Sequence, residues 1–331
     1  MDLYTPAELI GMIDEHVQVP HQFALSMLFN DIEEQTTEEI VFDKLPFDAA
    51  LAPFVAPNMP GQVMKQKGFR SEVFTPAYVK PKHTVDPSVG MKRYKGESLA
   101  NPLTPQQRRD LHVAELLLKQ ADGIDRRLEW MAWQILVGGQ VVVSGKDYPT
   151  VTVDFDRNAS FSQILTGTAA WDAATTPSME DFFEDEAGAI QDETGFAGTV
   201  HIMSPDAWRF ARKDKQWRET IDQTQGSQSS VNFSLNTAED GNAARNVTGA
   251  SFLGRSGRHE FWTFNGMYTD ALGIKQRYLP AKSCVTVSPE GLQGLQVFGA
   301  IQDHESLEAT KYFPKMWDQD DPSVRNLMTQ S

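Results

Sequence analysis

Cysteine is almost missing. Cys284 stands alone in 331 residues, which excludes an internal disulfide and any thiolate-built zinc site. Val285 and Val287 alternate beside it, so the thiol is expected in a buried strand, and a reducing compartment fits. The seven histidines, at 16, 21, 83, 112, 201, 259 and 304, are scattered, with no cysteine partner and no His-x-x-x-His spacing, so no metal site is expected. Asp318, Asp320 and Asp321 lack the glycine and distal glutamate of a calcium loop and read as a solvated acidic turn. Neither a phosphate-cradling Gly-x-x-x-x-Gly-Lys-Ser/Thr nor a Gly-x-Ser-x-Gly elbow occurs. Asp303-His304-Glu305 sets a base between two acids, but neighbours on an extended chain point apart and no serine partner can be named. Asn246-Val247-Thr248 reads as a chance sequon. No catalytic residue, cofactor or metal ligand is predicted.

Long apolar runs are missing too. Nothing approaches about 18 consecutive apolar residues, so no membrane span is expected. Met1 to Pro6 has neither a basic n-region nor an apolar h-region, so synthesis without a secretory signal, in the cytoplasm, is expected. Basic residues are short: 30 Lys and Arg face 45 Asp and Glu, a net charge of −15. That balance argues against a chain that wraps nucleic acid, because such binding neutralises phosphates with Lys and Arg. Any nucleic acid that such a chain meets is expected to face a repelling wall. Hydrophobic residues, at 40%, suffice for a substantial core in one large domain or two.

What is present is one dominant helical pattern from Thr104 to Gly139. Thr104, Pro105 and Gln107 form a capping box, and Gly138 and Gly139 supply a left-handed end. Leu111, Ala114, Leu117, Leu118, Ala121, Ile124, Leu128, Met131, Ala132, Ile135 and Leu136 recur at three- and four-residue steps. At 1.5 Å per residue the helix runs roughly 50 Å, longer than a small domain is wide. Glu115 with Lys119 and Asp122 with Arg126 are ordered i,i+4 pairs. Gly123 interrupts the pattern at a cost of about 1 kcal/mol, so a bend or a close contact is expected there. A core helix of an α/β enzyme would show the same stripe.

Charge is segregated before this helix. Met1 to Leu45 holds ten acids and one base, whereas Gln62 to Lys95 holds eight bases and two acids. Thr5, Pro6 and Glu8 open a short helix, and a second apolar run spans Phe23 to Phe29. Pro76, Pro81 and Pro87 punctuate the basic segment, where Ser71, Val73, Thr75 and then Tyr78, Lys80, Lys82 alternate as a sheet edge or free-standing hairpin would. A solvated face explains such charge runs as well as a docking loop does. Complementary fields in arm and loop would steer one copy onto another.

After the helix, Gln140–Ser144 and Pro149–Phe155 read as a hairpin. Ser178 with Asp181 starts a helix bearing Phe182, Phe183, Ala187 and Ile190, which Gly195 ends. Gly198–Met203 is a strand, Ser204-Pro205 caps a helix with Trp208, Phe210 and Ala211, and strands follow around Phe252, Phe261, Trp262 and Phe264. Gln223–Asn246, rich in Gln, Ser, Asn and Gly, reads as a mobile loop. The interleaving is α+β or α/β.

The run Ser71–His83 with Asp86-Pro87 resembles the extended loop of lambda-type bacteriophage major capsid proteins, the phage major capsid protein E family. Tyr148–Asp154, Tyr278-Leu279-Pro280, Gly299–Asp303, Tyr312–Trp317 and Asp321-Pro322 match in the same order, over nearly the whole chain. The resemblance implies an α+β, Hong Kong 97-like fold. Its parts would be an N-terminal arm over 1–45, a peripheral-domain strand and extended loop over 46–98 (the loop about 62–95), a spine helix and peripheral hairpin over 99–155, an axial domain over 156–290, and a return segment over 291–331. The loop 223–246 would then project near a symmetry axis or a shell surface. Family members continue beyond the segment matching Leu327–Ser331, which leaves the closing of the peripheral sheet open.

The resemblance further implies no enzyme, no cofactor, hexamers and pentamers closing an icosahedral head around double-stranded DNA, and portal, scaffold and decoration partners. The expected inter-subunit contacts are Lys65, Lys67, Arg70, Phe74, Tyr78, Val79, Lys80 and Lys82 on the loop, against Glu33, Glu34, Glu38 and Glu39 on the arm. A cellular encapsulating shell of the same fold, marked by a cargo-peptide site, and an acidic α/β hydrolase, marked by a monomer with a perturbed acid–base pair in a pocket, are the alternatives.

Overall fold

The computed structural model describes residues 4–14, 22–37, 39–44, 51–52, 54–55, 59–60, 63–64, 68, 70–98, 102–145, 148–173, 178–214, 217, 249–303, 309–320 and 324–331. In chain order the elements are α1 (Pro6–Asp14), α2 (Phe23–Met27), β1 (Asp31–Glu34), β2 (Ile40–Lys44), β3 (Arg70–Phe74), β4 (Lys82–Val85), α3 (Pro105–Gly138), β5 (Gln140–Gly145), β6 (Tyr148–Asp154), α4 (Met179–Thr194), β7 (Val200–Met203) and α5 (Pro205–Ala211). Then come β8 (Ala250–Ser256), β9 (His259–Phe264), β10 (Met267–Thr269), β11 (Lys275–Arg277), β12 (Cys284–Val287), β13 (Leu295–Phe298), β14 (Phe313–Gln319) and β15 (Val324–Gln330).

The caps form as local chemistry dictates. Gln107 N–H donates to Thr104 Oγ1 at 3.2 Å while Thr104 N–H donates to Gln107 Oε1 at 2.9 Å, and Gly139 closes α3 at φ 71°. Arg157 adds a second cap, donating to the carbonyls of Leu136 (2.8 Å) and Val137 (2.7 Å), which the helix end leaves without N–H partners. Thr5 with Glu8, Ser178 with Asp181 and Ser204 with Ala207 open α1, α4 and α5. Both expected i,i+4 ion pairs on α3 are present. The helix continues unbroken through the exposed Gly123, and a Cβ there would meet nothing within 4 Å. Among the described residues no close approach explains that glycine.

Helix α3 carries two cores. Near its start, Val113, Leu116, Leu117 and Ala121 pack with Leu9 and Ile13 of α1, Val85, Met316 and Leu327 under the sheet β14-β15-β4. Gln120 is fully buried there, donating to the Leu327 carbonyl at 2.9 Å, accepting from Thr329 at 2.7 Å and meeting His83 Nδ1 at 3.0 Å. Toward its end, Trp133 stacks on Phe264 (4.7 Å between centroids) and Phe23 packs against both rings. Helix α2 thus packs between α3 and the four-stranded sheet β12-β7-β9-β8. Each full burial of a large apolar side chain in these cores contributes about 1.5–3 kcal/mol.

Two buried carboxylates on α3 hold distant segments. Glu129 accepts from the amides of Ala24 (2.9 Å) and Leu25 (3.1 Å) and from Trp133 Nε1 (2.8 Å). Burial nevertheless pushes its carboxyl up to about 7, against the pull of those donors. Asp125 is bonded by Tyr312 and, at 2.8 Å, by Lys311. At the mouth of α3, Arg108 donates to Glu97 at 2.6 Å. That bond, with the amides of Tyr94 and Leu103, holds the Glu97 carboxyl down at about 2 despite burial.

The basic segment expected as one loop over 62–95 is divided. Residues 70–74 pair antiparallel with 40–44, whereas 82–85 form an edge strand on β15. The cause is apolar: Val85 faces the α1–α3 core, and an inward-facing strand residue fixes which face is buried. Beside it, Val79 and Ser331 exchange backbone hydrogen bonds at 3.0 and 3.1 Å. β15 is therefore the central strand of its sheet, closed on one side by β4 and on the other by β14. Cys284 opens β12, packs against the α4–α5 core, and burial pushes its thiol up to about 12. The expected loop 223–246 lies outside the described residues.

Candidate inter-subunit interface

Among the described residues, large exposed apolar side chains are concentrated on and between the strands β2 and β3. Val41 pairs with Val73 across this hairpin, and both side chains are more than half exposed. Between the strands, Leu51 and Val63 are each 93% exposed and Phe54 is fully exposed. Val55, Met59 and Met64 add to the same apolar loop. Large apolar side chains concentrated this way mark an interaction surface, while single exposed ones do not. None of the loop residues was among the expected contacts. Their signal was the apolar spacing through Leu51-Ala52-Pro53-Phe54-Val55 and Val63-Met64, hidden by the basic residues that follow.

The expected contact residues are placed more variously. Arg70 sits at the hairpin base, 3.6 Å from Glu72 and 3.7 Å from Asp156 of its own subunit. Phe74 is half-buried opposite Ile40. The Tyr78 hydroxyl accepts from the Gln302 amide at 3.1 Å and donates to the Ala300 carbonyl at 3.4 Å, within the same subunit. Lys80 lies over the Tyr78 ring at 4.1 Å and Lys82 over Trp317 at 4.9 Å, both on the exposed side. On the acidic side, Glu33 and Glu34 are exposed on β1, which pairs parallel with β13. Glu39 is exposed just before β2. Lys65, Lys67 and Glu38 lie outside the described residues.

Among the described residues no group of three His, Cys, Asp or Glu side chains converges as a metal would require. No described helix is long and apolar enough to cross a membrane. One polar cluster escaped the sequence reading: His201 and His259, taken as scattered, touch at 2.8 Å because β7 and β9 are parallel neighbours.

An acidic subunit with a strut helix, two cores and a hairpin bearing bare apolar side chains has the parts of an assembling shell. The family model for "Phage major capsid protein E" matches residues 5–331. The chain belongs to that family. Among its relatives, the major capsid protein of Escherichia phage lambda is 26% identical over 338 residues, covering 100% of this chain and 95% of the relative. That of Escherichia phage N15 is 27% identical with the same coverage. The putative capsid protein of a prophage of E. coli CFT073 superposes with a TM-score of 0.72 at 21% identity, over 99% of this chain and 94% of the other, which shows a shared capsid fold. The α+β fold and the role of a phage-head structural protein expected from the sequence both stand, and the two alternatives are not favoured.

Proposed function

We propose that this chain is the repeating subunit of a bacteriophage head, closing as hexamers and pentamers into an icosahedral shell around double-stranded DNA. The exposed apolar loop carries this reading, since Leu51, Phe54 and Val63 are bare in the single subunit and would gain burial against another copy. Many such modest contacts per subunit sum through multivalency into a stable shell. Assembly, rather than catalysis, is its activity. The subunit accumulates in the host cytoplasm and works in the virion, with a portal, a scaffold and a decoration protein as partners.

Electrostatics sets the register of docking. The basic residues Lys65, Lys67, Arg70, Lys80 and Lys82 of one subunit meet the acidic surface around Glu33, Glu34, Glu38 and Glu39 of another, where opposite fields guide encounter more than they add affinity. A net charge of −15 keeps the packaged duplex from adhering to the wall. Sedimentation velocity of the purified chain is the test: species of many subunits are expected. A monomer at every concentration, with or without its assembly partners, would refute the reading.

A further inference from the structure

A line of hydrogen bonds runs through the axial sheet into α4. Thr286 Oγ1 on β12 lies 3.0 Å from His201 Nδ1, His201 Nε2 lies 2.8 Å from His259 Nδ1, and His259 Nε2 lies 3.0 Å from Glu184 Oε1. Arg258 donates to the other Glu184 oxygen at 2.6 Å. Both histidines are buried, and Phe183 and Phe261 pack against the His201 ring. A cavity of about 60 Å³ lined by Glu180, Glu184, Ser256, Gly257 and His259 adjoins the outer end. That is room for a few waters, so protons can reach His259 although its ring is covered.

The donors and acceptors of this line allow two complete arrangements. With both imidazoles neutral, Thr286 O–H donates to His201 Nδ1, His201 Nε2–H to His259 Nδ1, and His259 Nε2–H to the Glu184 carboxylate. In the one-proton arrangement His201 has passed its Nε2 proton to His259 Nδ1 and carries the added proton on Nδ1, which reverses the inner bonds. His201 then accepts at Nε2, and its Nδ1–H donates to Thr286 Oγ1. A second proton would set N–H against N–H, and burial accordingly holds His201 down at about 3. The bond from His259 comes first among the influences that hold the Glu184 carboxyl below its ordinary range.

We infer that Thr286, His201, His259 and Glu184 form a one-proton latch that fastens α4 to the axial sheet more firmly when the proton is bound. Protonation turns the His259–Glu184 hydrogen bond into an ion pair, largely screened from solvent on the histidine side. The other charged groups about the latch are Glu180 and Glu186 of α4, Arg258 of the β8–β9 turn, and the Arg255–Glu260 pair across β8 and β9. β12 contributes Thr286 and the neutral Cys284. The inference concerns the axial domain of the single subunit and is independent of the shell reading.

The test is hydrogen exchange of α4 amides in the full chain between pH 5.5 and 8, corrected for intrinsic rates. Opening of α4 is expected to be roughly fivefold greater at pH 8 than at pH 5.5, the size of a single partly exposed ion pair. Glu184→Gln should flatten that profile. His259→Gln, which keeps a polar side chain beside Glu184 but takes up no proton, should flatten it as well and stands as the readout if the first variant fails to fold. Imidazole NMR should show the pair taking up one proton, not two, down to about pH 4.5. A wild-type profile without pH dependence, a His259→Gln profile identical to wild type, or uptake of two protons would overturn the latch.

Discussion

Replacing Leu51, Phe54 and Val63 together by serine isolates the contribution of the hairpin loop. These side chains are 93–106% exposed, so the subunit loses no core contact and its thermal midpoint should stay within about 1 °C, as for surface substitutions elsewhere. If each is buried in the shell, it contributes about 2 kcal/mol, or about 6 kcal/mol for three. Shared surfaces and ordering of the loop reduce this to about 3 kcal/mol per subunit. An assembly threshold obeying the same arithmetic would rise roughly a hundredfold. Light scattering against subunit concentration measures that threshold. A triple variant that assembles at the wild-type concentration would refute the argument, since burial of these side chains between copies is its entire basis.

Gly123→Ala should raise subunit stability by about 1 kcal/mol in a urea titration, because a Cβ there meets nothing within 4 Å; an unchanged or lower midpoint would contradict the open space. If Gly123→Ala stabilises the subunit yet blocks assembly, a neighbouring copy packs on that helix face. Glu129 has a folded carboxyl pushed up to about 7, above its unfolded value, so the linked stability is full below about pH 4.5 and is lost as pH rises through about 7. Wild type should therefore lose up to about 3 kcal/mol relative to Glu129→Gln between those limits, and parallel pH profiles in urea titrations would contradict it. Glu97 behaves oppositely: its carboxyl is held down at about 2, so its contribution is present above about pH 4.5 and fades as pH falls toward 2. Glu97→Gln should remove that part of the acid transition, which circular dichroism follows. Lys80→Glu with Lys82→Glu should slow shell formation while leaving the fold intact, and normal assembly at physiological salt would count against electrostatic docking.

Local chemistry made the helices legible. Thr104 with Gln107, Ser178 with Asp181 and Ser204 each sit within three residues of the amide they cap, and Gly139 and Gly195 end their helices at positive φ. The hairpin β5–β6 was similarly readable, since its partner strands are adjacent in the chain, and β8 and β9 were read as strands though not as a pair. What stayed hidden is non-local. Gln120 reaches Leu327 and Thr329, His201 reaches His259, and β4 finds β15, pairings set by register between segments whose patterns say nothing of each other. The expected contacts were drawn from charge and from the apolar residues Phe74, Tyr78 and Val79, whereas among the described residues the most exposed apolar side chains near the hairpin are Leu51, Phe54 and Val63. Tyr78 and Val79 looked free because their bonds run to residues near 300 and 331.

The central claim is that the subunit leaves Leu51, Phe54 and Val63 exposed and that another copy covers them. Electron cryomicroscopy of assembled particles tests this most directly. The account predicts closed shells in which the density for Leu51, Phe54 and Val63 lies against an adjoining subunit. Shells in which those side chains face solvent, or turn back onto their own subunit, would contradict it.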